Sequence, residues 1–284
     1  MLLRALLGAA LTATGLLAQG ERITLRAAPL PNQTIRLAMS QEMAFDVVTE
    51  GSGGMGPMRI EGSMSFLATQ RVGAPDAAGR VTSQLTMDSV TMNLTLNGAA
   101  APGGAELLRG KTFTIVYDAA GKVVEVIAPL ELGMAAASAK EMLSAVSGAI
   151  PGTTLAIGDT VSALVRIPLP LPMGSGPGEI ESRTTSRLVA VTREGGDRIA
   201  TLQQTTIGES SLPMDFPGPG GSIAPTAQLK MHGGGSLQLD VDKGFVKQGS
   251  SEMQMEMLMN LQNVTMKLNG IVKVHVTGTP LPPG

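Results

Sequence analysis

The chain has 284 residues, of which 43% are hydrophobic and 15% charged, and its formal net charge is −2. This length is sufficient for one large domain or two smaller ones, and the apolar content argues against a disordered chain. The absence of cysteine excludes disulfides, zinc–thiolate sites, thiol nucleophiles and a lipid-modified amino-terminal cysteine. A charge this close to neutral argues against a nucleic-acid partner.

The amino terminus has the pattern of a secretory signal peptide. A single cation, Arg4, precedes an apolar run from Ala5 to Ala18, which is too short to span a membrane comfortably. We expect cleavage near Ala18 and a secreted or periplasmic protein. Removing residues 1–18 takes away Arg4 and leaves 20 Lys and Arg against 23 Asp and Glu, a net charge of −3. No later stretch is long and apolar enough to predict a transmembrane helix.

Alternation of apolar and polar residues dominates the rest of the chain and predicts half-buried β-strands. Short turns that contain glycine join several of them, as in DAAGK, which indicates antiparallel pairing. The predicted strands are 34–48, 58–68, 79–97, 111–118, 121–127, 157–167, 179–194, 197–211, 226–241, 245–262 and 264–276.

One segment departs from this pattern. Residues 129–152 are rich in Ala, Leu, Met, Lys and Glu, with Pro129 near the start and Pro151 near the end. We therefore predict a helix near 130–147. The expected fold class is mainly β (α+β), with long curved antiparallel strands that form one or two half-barrel sheets around this helix.

A weak internal repeat bears on the domain organisation. SQLTMDSVTMNLTLNG (83–98) is similar to MEMLMNLQNVTMKLNG (255–270), and both end in Leu-Asn-Gly. Two explanations remain open, namely duplication of a β-sheet unit and chance similarity in a chain of biased composition. The predicted organisation is a signal peptide (1–18), an amino-terminal sheet unit with the helix (19–150), a carboxy-terminal sheet unit (151–277) and an extended tail (278–284).

Three short motifs carry a family resemblance: IGDTV (157–161), YDAAGKV (117–123) and LDVDKGFV (239–246). Together with the signal peptide and the Met- and Thr-rich strands, they resemble a family of secreted bacterial proteins of unknown function. Val161 departs from the tryptophan usual in that family. The expected shape is similar to that of periplasmic lipoprotein carriers, in which a curved sheet wraps a helix and encloses an apolar cavity. The resemblance implies a fold and does not imply an activity.

The stretch SEMQMEMLMNLQ (251–262) places four methionines on alternate positions, and therefore on one face of a strand. Thioethers bind copper(I), but alternate residues of a strand lie about 7 Å apart, which is too far for all four methionines to converge on one ion. Methionine also fills irregular core space and lines adaptable apolar cavities. Packed core and cavity wall are therefore the two main interpretations, and no metal site is predicted.

No catalytic motif accompanies these strands. The histidines, His232 and His275, lie in strand patterns, and the sequence contains no G-x-S-x-G, H-E-x-x-H, Walker or dinucleotide motif. DVDKG (240–244) has the spacing that starts a calcium loop, but Phe245, Val246 and Lys247 follow it where ligands are needed, so a hairpin turn is the better interpretation. We expect no cofactor and no catalysis.

The predicted function is non-catalytic binding or carriage of an apolar ligand such as lipid. An alternative is a cell-envelope structural or protein-interaction module with a closed core, whose partner would be another envelope protein. A hydrolase that uses either histidine and a copper-handling protein are weaker alternatives. The predicted ligand-binding residues, chosen by the strand face on which they fall, are Met253, Met255, Met257, Met259, Leu261, Met87 and Leu85.

Overall fold

The computed structural model describes most of the chain after the predicted signal peptide. The described residues are 22–25, 29–51, 56–101, 105–119, 121–132, 153–169, 178–213, 216–218, 221–223, 226–261 and 264–282. The predicted helix near 130–147 falls mainly outside these ranges, and its described start, Leu130–Leu132, is a 3₁₀ turn. A second 3₁₀ turn spans Ala105–Leu108. The described part contains no helix long and apolar enough to cross a bilayer.

The predicted β architecture is confirmed. The strands are β1 (Ile23–Thr24), β2 (Thr34–Gly51), β3 (Met58–Pro75), β4 (Val81–Leu96), β5 (Ala99–Ala101), β6 (Thr112–Tyr117), β7 (Val123–Ile127), β8 (Thr154–Leu155), β9 (Thr160–Leu169), β10 (Gly178–Glu194), β11 (Asp197–Pro213), β12 (Phe216–Gly218), β13 (Gly221–Ile223), β14 (Thr226–Asp240), β15 (Phe245–Leu261) and β16 (Val264–Pro280).

In the described part of the chain, twelve of these strands form one antiparallel sheet, whose edge strands β7 and β9 do not pair with each other. The order across it is β7-β6-β4-β3-β2-β16-β15-β14-β11-β10-β9, and β5 pairs with β4. The first and last long strands, β2 and β16, lie side by side near the centre, so the two predicted sheet units share one continuous sheet. The pairs β1–β8 and β12–β13 form separate two-stranded sheets.

Four hairpin turns, those after β3, β6, β10 and β14, lie at one end of the large sheet, which we call the closed end. Asp76 and Asp118 begin two nearly identical turns, DAAGR and DAAGK. The Oδ1 atom of each aspartate accepts the N–H group four residues later, of Arg80 at 2.8 Å and of Lys122 at 2.8 Å. Gly79 and Gly121 adopt left-handed φ angles of 75° and 83°, which glycine adopts without steric cost.

The sheet curves at the closed end. Tyr117 and Val81, from β6 and β4, line the same pocket of about 510 Å³ as Arg198 and Val241, from β11 and the turn after β14. Since four strands separate β4 from β14, a flat sheet would hold those two strands about 24 Å apart. Ile23 also lines the pocket, so the amino-terminal segment bridges the two sides.

Two buried clusters fill the apolar side of the sheet at the closed end. In the first, the short β1–β8 sheet packs its Ile23 and Leu155 against β10, β11 and β14. In the second, Leu132 packs beside β3, β4, β6 and β7. The buried residues of the first cluster are Ile23, Leu25, Leu155, Leu188, Val191, Ala200, Leu202, Leu237, Leu239 and Val241, and those of the second are Ala68, Leu85, Met87, Phe113, Ile115, Tyr117, Val126 and Leu132.

The internal repeat occupies two different local structures. In the first copy, Leu-Asn-Gly ends β4 and turns the chain, with positive φ angles of 49° at Asn97 and 79° at Gly98. In the second copy, the same three residues, 268–270, lie inside β16. The two copies therefore do not occupy equivalent places in the sheet.

Candidate functional site

The four alternate methionines lie on one face of β15, as their spacing predicts. Met253, Met255 and Met257 are partly exposed, while Met259 is buried. Met255 and Met257 pack against the buried side chains of Leu229 and Met231 on the neighbouring strand β14. Leu261 is the last residue of β15, where its backbone pairs with Val264.

The strand register extends this apolar face across the centre of the sheet. Met253 lies opposite Val272, and the same row continues through Met43, Gly62 and Leu94 on β2, β3 and β4. We call the partly exposed apolar side chains at the centre of this face the methionine surface. They are Met43, Phe45, Met64, Met92, Met253, Met255, Met257 and Leu268.

Glycines on this face allow large side chains to lie flat. A Cβ added at Gly270 would lie 1.9 Å from Cδ1 of Phe45, because the Phe45 ring covers that glycine. Cβ atoms at Gly62 and Gly208 would each lie 3.0 Å from the Cγ atom of a methionine, Met43 and Met231 respectively. This pairing could not be predicted from the sequence, since a glycine inside a strand does not reveal its cross-strand neighbour.

Leu85 and Met87, the other two predicted ligand-binding residues, lie elsewhere. Both are buried in the second closed-end cluster, in which Phe113 and Ile115 also pack. On a flat sheet Met87 would lie roughly 30 Å from Met253, because four strand spacings and seven residues along β4 separate them. The structure therefore brings together the β15 methionines and leaves Leu85 and Met87 in the packed core.

Charge is segregated between the two faces of the large sheet. We call the face that carries the methionines and the closed-end clusters the inward face, and the opposite face the outward face. On β2, β3, β4, β14, β15 and β16, the described inward positions carry no Asp, Glu, Lys or Arg. The outward positions carry many, and some form cross-strand ion pairs such as Lys273 Nζ to Glu252 Oε2 at 3.6 Å. The methionine surface is therefore apolar and uncharged over its whole described extent.

A band of neutral polar side chains borders the first closed-end cluster on the same inward face. Gln204 Nε2 donates to Ser186 Oγ at 3.1 Å, and the hydroxyls of Thr184 and Thr206 lie 3.0 Å apart. Ser186 is buried, and the other three are partly exposed. We call these four residues the polar band. Sequence reasoning missed it because Ser, Thr and Gln at alternate positions are typical of a solvated strand face.

The histidines lie on the opposite, outward face. His232 pairs with Gln254 and His275 with Ser250, and both side chains are exposed. Two shallow grooves of about 540 and 430 Å³ cross this face, with Glu42 and Lys273 in the lining of both. Within the described ranges, no three His, Asp or Glu side chains group closely enough to hold a metal ion.

The turn predicted from DVDKG is a hairpin that an ion pair fastens to the next turn. Arg198 Nη2 and Nε donate to Asp242 Oδ1 at 2.6 and 2.9 Å, and hydrogen bonding to this guanidinium lowers the pKa of Asp242. Asp240 accepts the Lys243 N–H at 2.8 Å, and burial raises the pKa of Asp240. Lys243 also pairs with Asp197, so two ion pairs join this turn to the turn between β10 and β11.

Comparison with known proteins gives no family. No family model and no curated protein matches the chain. Among solved structures, lipovitellin, from a study of its lipid–protein interactions, matches with a TM-score of 0.47 and 11% identity over 90% of this chain and 26% of lipovitellin. OccK11 (OpdR) of Pseudomonas aeruginosa matches with a TM-score of 0.19 and 8% identity over 91% of this chain and 99% of that protein. The chain thus spans about a quarter of lipovitellin, and neither score establishes a shared fold.

Proposed function

We propose that this chain is a non-catalytic secreted or periplasmic protein that binds an apolar ligand, such as a lipid chain, on the methionine surface. The observation that carries the proposal is a wide, charge-free apolar face that stays partly exposed at the centre of the sheet. In the described ranges, the extensive contacts of β2, β15 and β16 are those with their adjacent strands. A contiguous exposed apolar patch commonly marks a binding surface.

Ligand binding on this surface has a simple energetic basis. Each methylene group removed from water contributes about 0.8 kcal/mol, so a chain of ordinary fatty-acid length gains enough to offset the cost of association. Methionine side chains are unbranched and polarizable, and they adapt to ligands of different shape. Met253, Met255 and Met257 offer three such side chains in line along β15.

The first test is native mass spectrometry of the protein purified from the cells that make it. We expect an additional mass that organic extraction releases as lipid. The protein stripped in this way should then take up the hydrocarbon dye diphenylhexatriene with a rise in fluorescence. Because the chain contains no Trp and one Tyr, the fluorescence background is low.

A matched pair of substitutions locates the bound chain. Met257→Gln and Leu258→Gln both replace an apolar side chain with the same amide, on neighbouring residues that face opposite sides of the sheet. We expect Met257→Gln to weaken dye binding about fivefold or more, and Leu258→Gln to leave it unchanged. Absence of copurified lipid and of dye binding would refute the proposal and favour a protein-interaction module with a closed core.

A further inference from the structure

The charge distribution restricts the kind of ligand that the inward face can hold. An ionised carboxylate or phosphate taken out of water costs several kcal/mol unless a cation pairs with it. Between the polar band and the methionine surface, the inward positions of β10, β11, β14 and β15 provide no Lys or Arg, and Arg183 and Lys230 both point outward. Arg198, at the closed end of β11, is already paired with Asp242. A ligand that lies along this face is therefore stabilised only if its polar end is uncharged.

The polar band supplies the groups that bind such an end. Each hydroxyl has one donor and two acceptor sites, and the Gln204 amide has two donors and one carbonyl oxygen. The Gln204–Ser186 and Thr184–Thr206 hydrogen bonds use only part of this capacity. The remaining sites match a hydroxyl, ester or amide, each of which both lacks charge and forms neutral hydrogen bonds.

The strand register places the polar band beside the methionine surface. Thr206 lies opposite Gly233 of β14, and Gly233 lies opposite Met253 of β15. Gln204 lies opposite Gly235, which is opposite Ser251. Two strand spacings, about 10 Å, therefore separate Thr206 from Met253, and in both rows a glycine of β14 lies between β11 and β15.

We infer that the ligand is a long-chain molecule with an uncharged hydroxyl, ester or amide head, and that the head binds at Gln204, Ser186, Thr184 and Thr206 while the chain lies over Met253, Met255 and Met257. This inference rests on the proposed function, because it specifies the ligand of the same surface. The four polar residues are then binding residues that determine specificity.

The test compares two probes that differ only in the head group. Parinaric acid and parinaryl alcohol have the same fluorescent polyene chain, and at about pH 8 the acid is ionised and the alcohol is neutral. We expect the stripped protein to bind the alcohol at least about tenfold more tightly than the acid. Diphenylhexatriene, which has no head group, reports whether the apolar surface itself is intact.

Two double variants separate the head-group site from general stability. Thr184→Val with Thr206→Val removes both partners of one hydrogen bond without changing side-chain volume, which is close to neutral for folding. Thr185→Val with Ser162→Ala is the control, since these hydroxyls lie 2.9 Å apart on the outward face of the adjacent row. We expect the first variant to weaken the binding of parinaryl alcohol about fivefold and to leave the binding of diphenylhexatriene unchanged. The control variant should change the binding of neither probe.

The outcomes distinguish this inference from the proposed function. Equal affinity for the alcohol and the acid, or an equal effect of both double variants, would overturn the inference while dye binding still supports an apolar-ligand protein. Failure of all three probes to bind the stripped protein would overturn both. A head-group preference that disappears in the Thr184→Val, Thr206→Val variant supports the assignment of the polar band.

Discussion

The closed end and the methionine surface belong to the same face of the same sheet but differ in what covers them. At the closed end, Leu202 and Leu239 are fully buried because the β1–β8 sheet lies over them. At the methionine surface, Met255 and Met257 stay partly exposed, and glycines take the places between large side chains. Alternation thus determines which side of a strand is apolar, and the covering element determines whether that side is core.

The composition of the two regions follows from this difference. The closed-end clusters are built mainly from Ile, Leu, Val, Ala, Phe and Tyr, with Met87 the one methionine among their described buried residues, and such side chains suit a filled interior. The methionine surface uses Met against Gly, as in Met43 over Gly62, so that within the described ranges large side chains cover the sheet where no second layer lies over it. A flexible surface of this kind can change its packing when a ligand arrives.

The largest expected effect is on stability at the closed end. Leu202→Ala removes a fully buried side chain from the first cluster and should lower the free energy of unfolding by about 2–5 kcal/mol. Met257→Ala, at the methionine surface, should lower it by about 1 kcal/mol, because that side chain already contacts water. Urea denaturation followed by circular dichroism measures both. Equal losses would mean that the methionine surface is packed as tightly as the closed end.

The second effect concerns the pairing of glycine with a large side chain. Gly270→Ala places a methyl group where the Phe45 ring lies, and we expect a loss of about 1–3 kcal/mol in the free energy of unfolding. In a Phe45→Ala background, the same substitution should cost much less, because the ring that obstructs the methyl group is gone. The double-mutant cycle measures this coupling, and additive losses would contradict the proposed contact.

The alternation of apolar and polar residues predicted the bounds of most strands closely, although it did not predict their order in the sheet. The expected strand 245–262 is found at Phe245–Leu261, but the expected 58–68 continues to Pro75. That extension was missed because Gln70 points inward, where its Nε2 donates to the Tyr117 hydroxyl at 3.2 Å. A polar residue at an inward position interrupts the apolar alternation from which strands are predicted.

The arrangement of the candidate site could be predicted from the sequence only in part, and its role in ligand binding stays a prediction. The face of a strand on which a residue lies is a local property, so the shared face of Met253–Met259 could be predicted from spacing alone. Adjacency depends on pairing between distant segments, such as β2 with β16, and no local pattern reveals it. Leu85 was therefore grouped with the methionines although β4 and β15 are not neighbours. The polar band depends on both properties, since Thr184 and Thr206 are significant only as cross-strand partners on the inward face.

The smallest effect tests whether the turn ion pair helps to hold the closed end. Asp242, about one-third exposed, is hydrogen-bonded to Arg198, so its folded-state pKa is depressed. A depressed carboxyl pKa contributes stability that is present above the unfolded-state pKa of about 3.9 and is lost as pH falls through the lower, folded-state value. We expect Asp242→Asn to lower the free energy of unfolding by about 1 kcal/mol near pH 7 and by progressively less below pH 4.

The measurement is urea unfolding of the unsubstituted protein and of this variant across that pH range, with Met257→Ala as a control whose loss does not depend on pH. A loss from Asp242→Asn that persists unchanged at the lowest pH would show that the side chain acts through turn geometry, and that the charge pair adds nothing to the closed end.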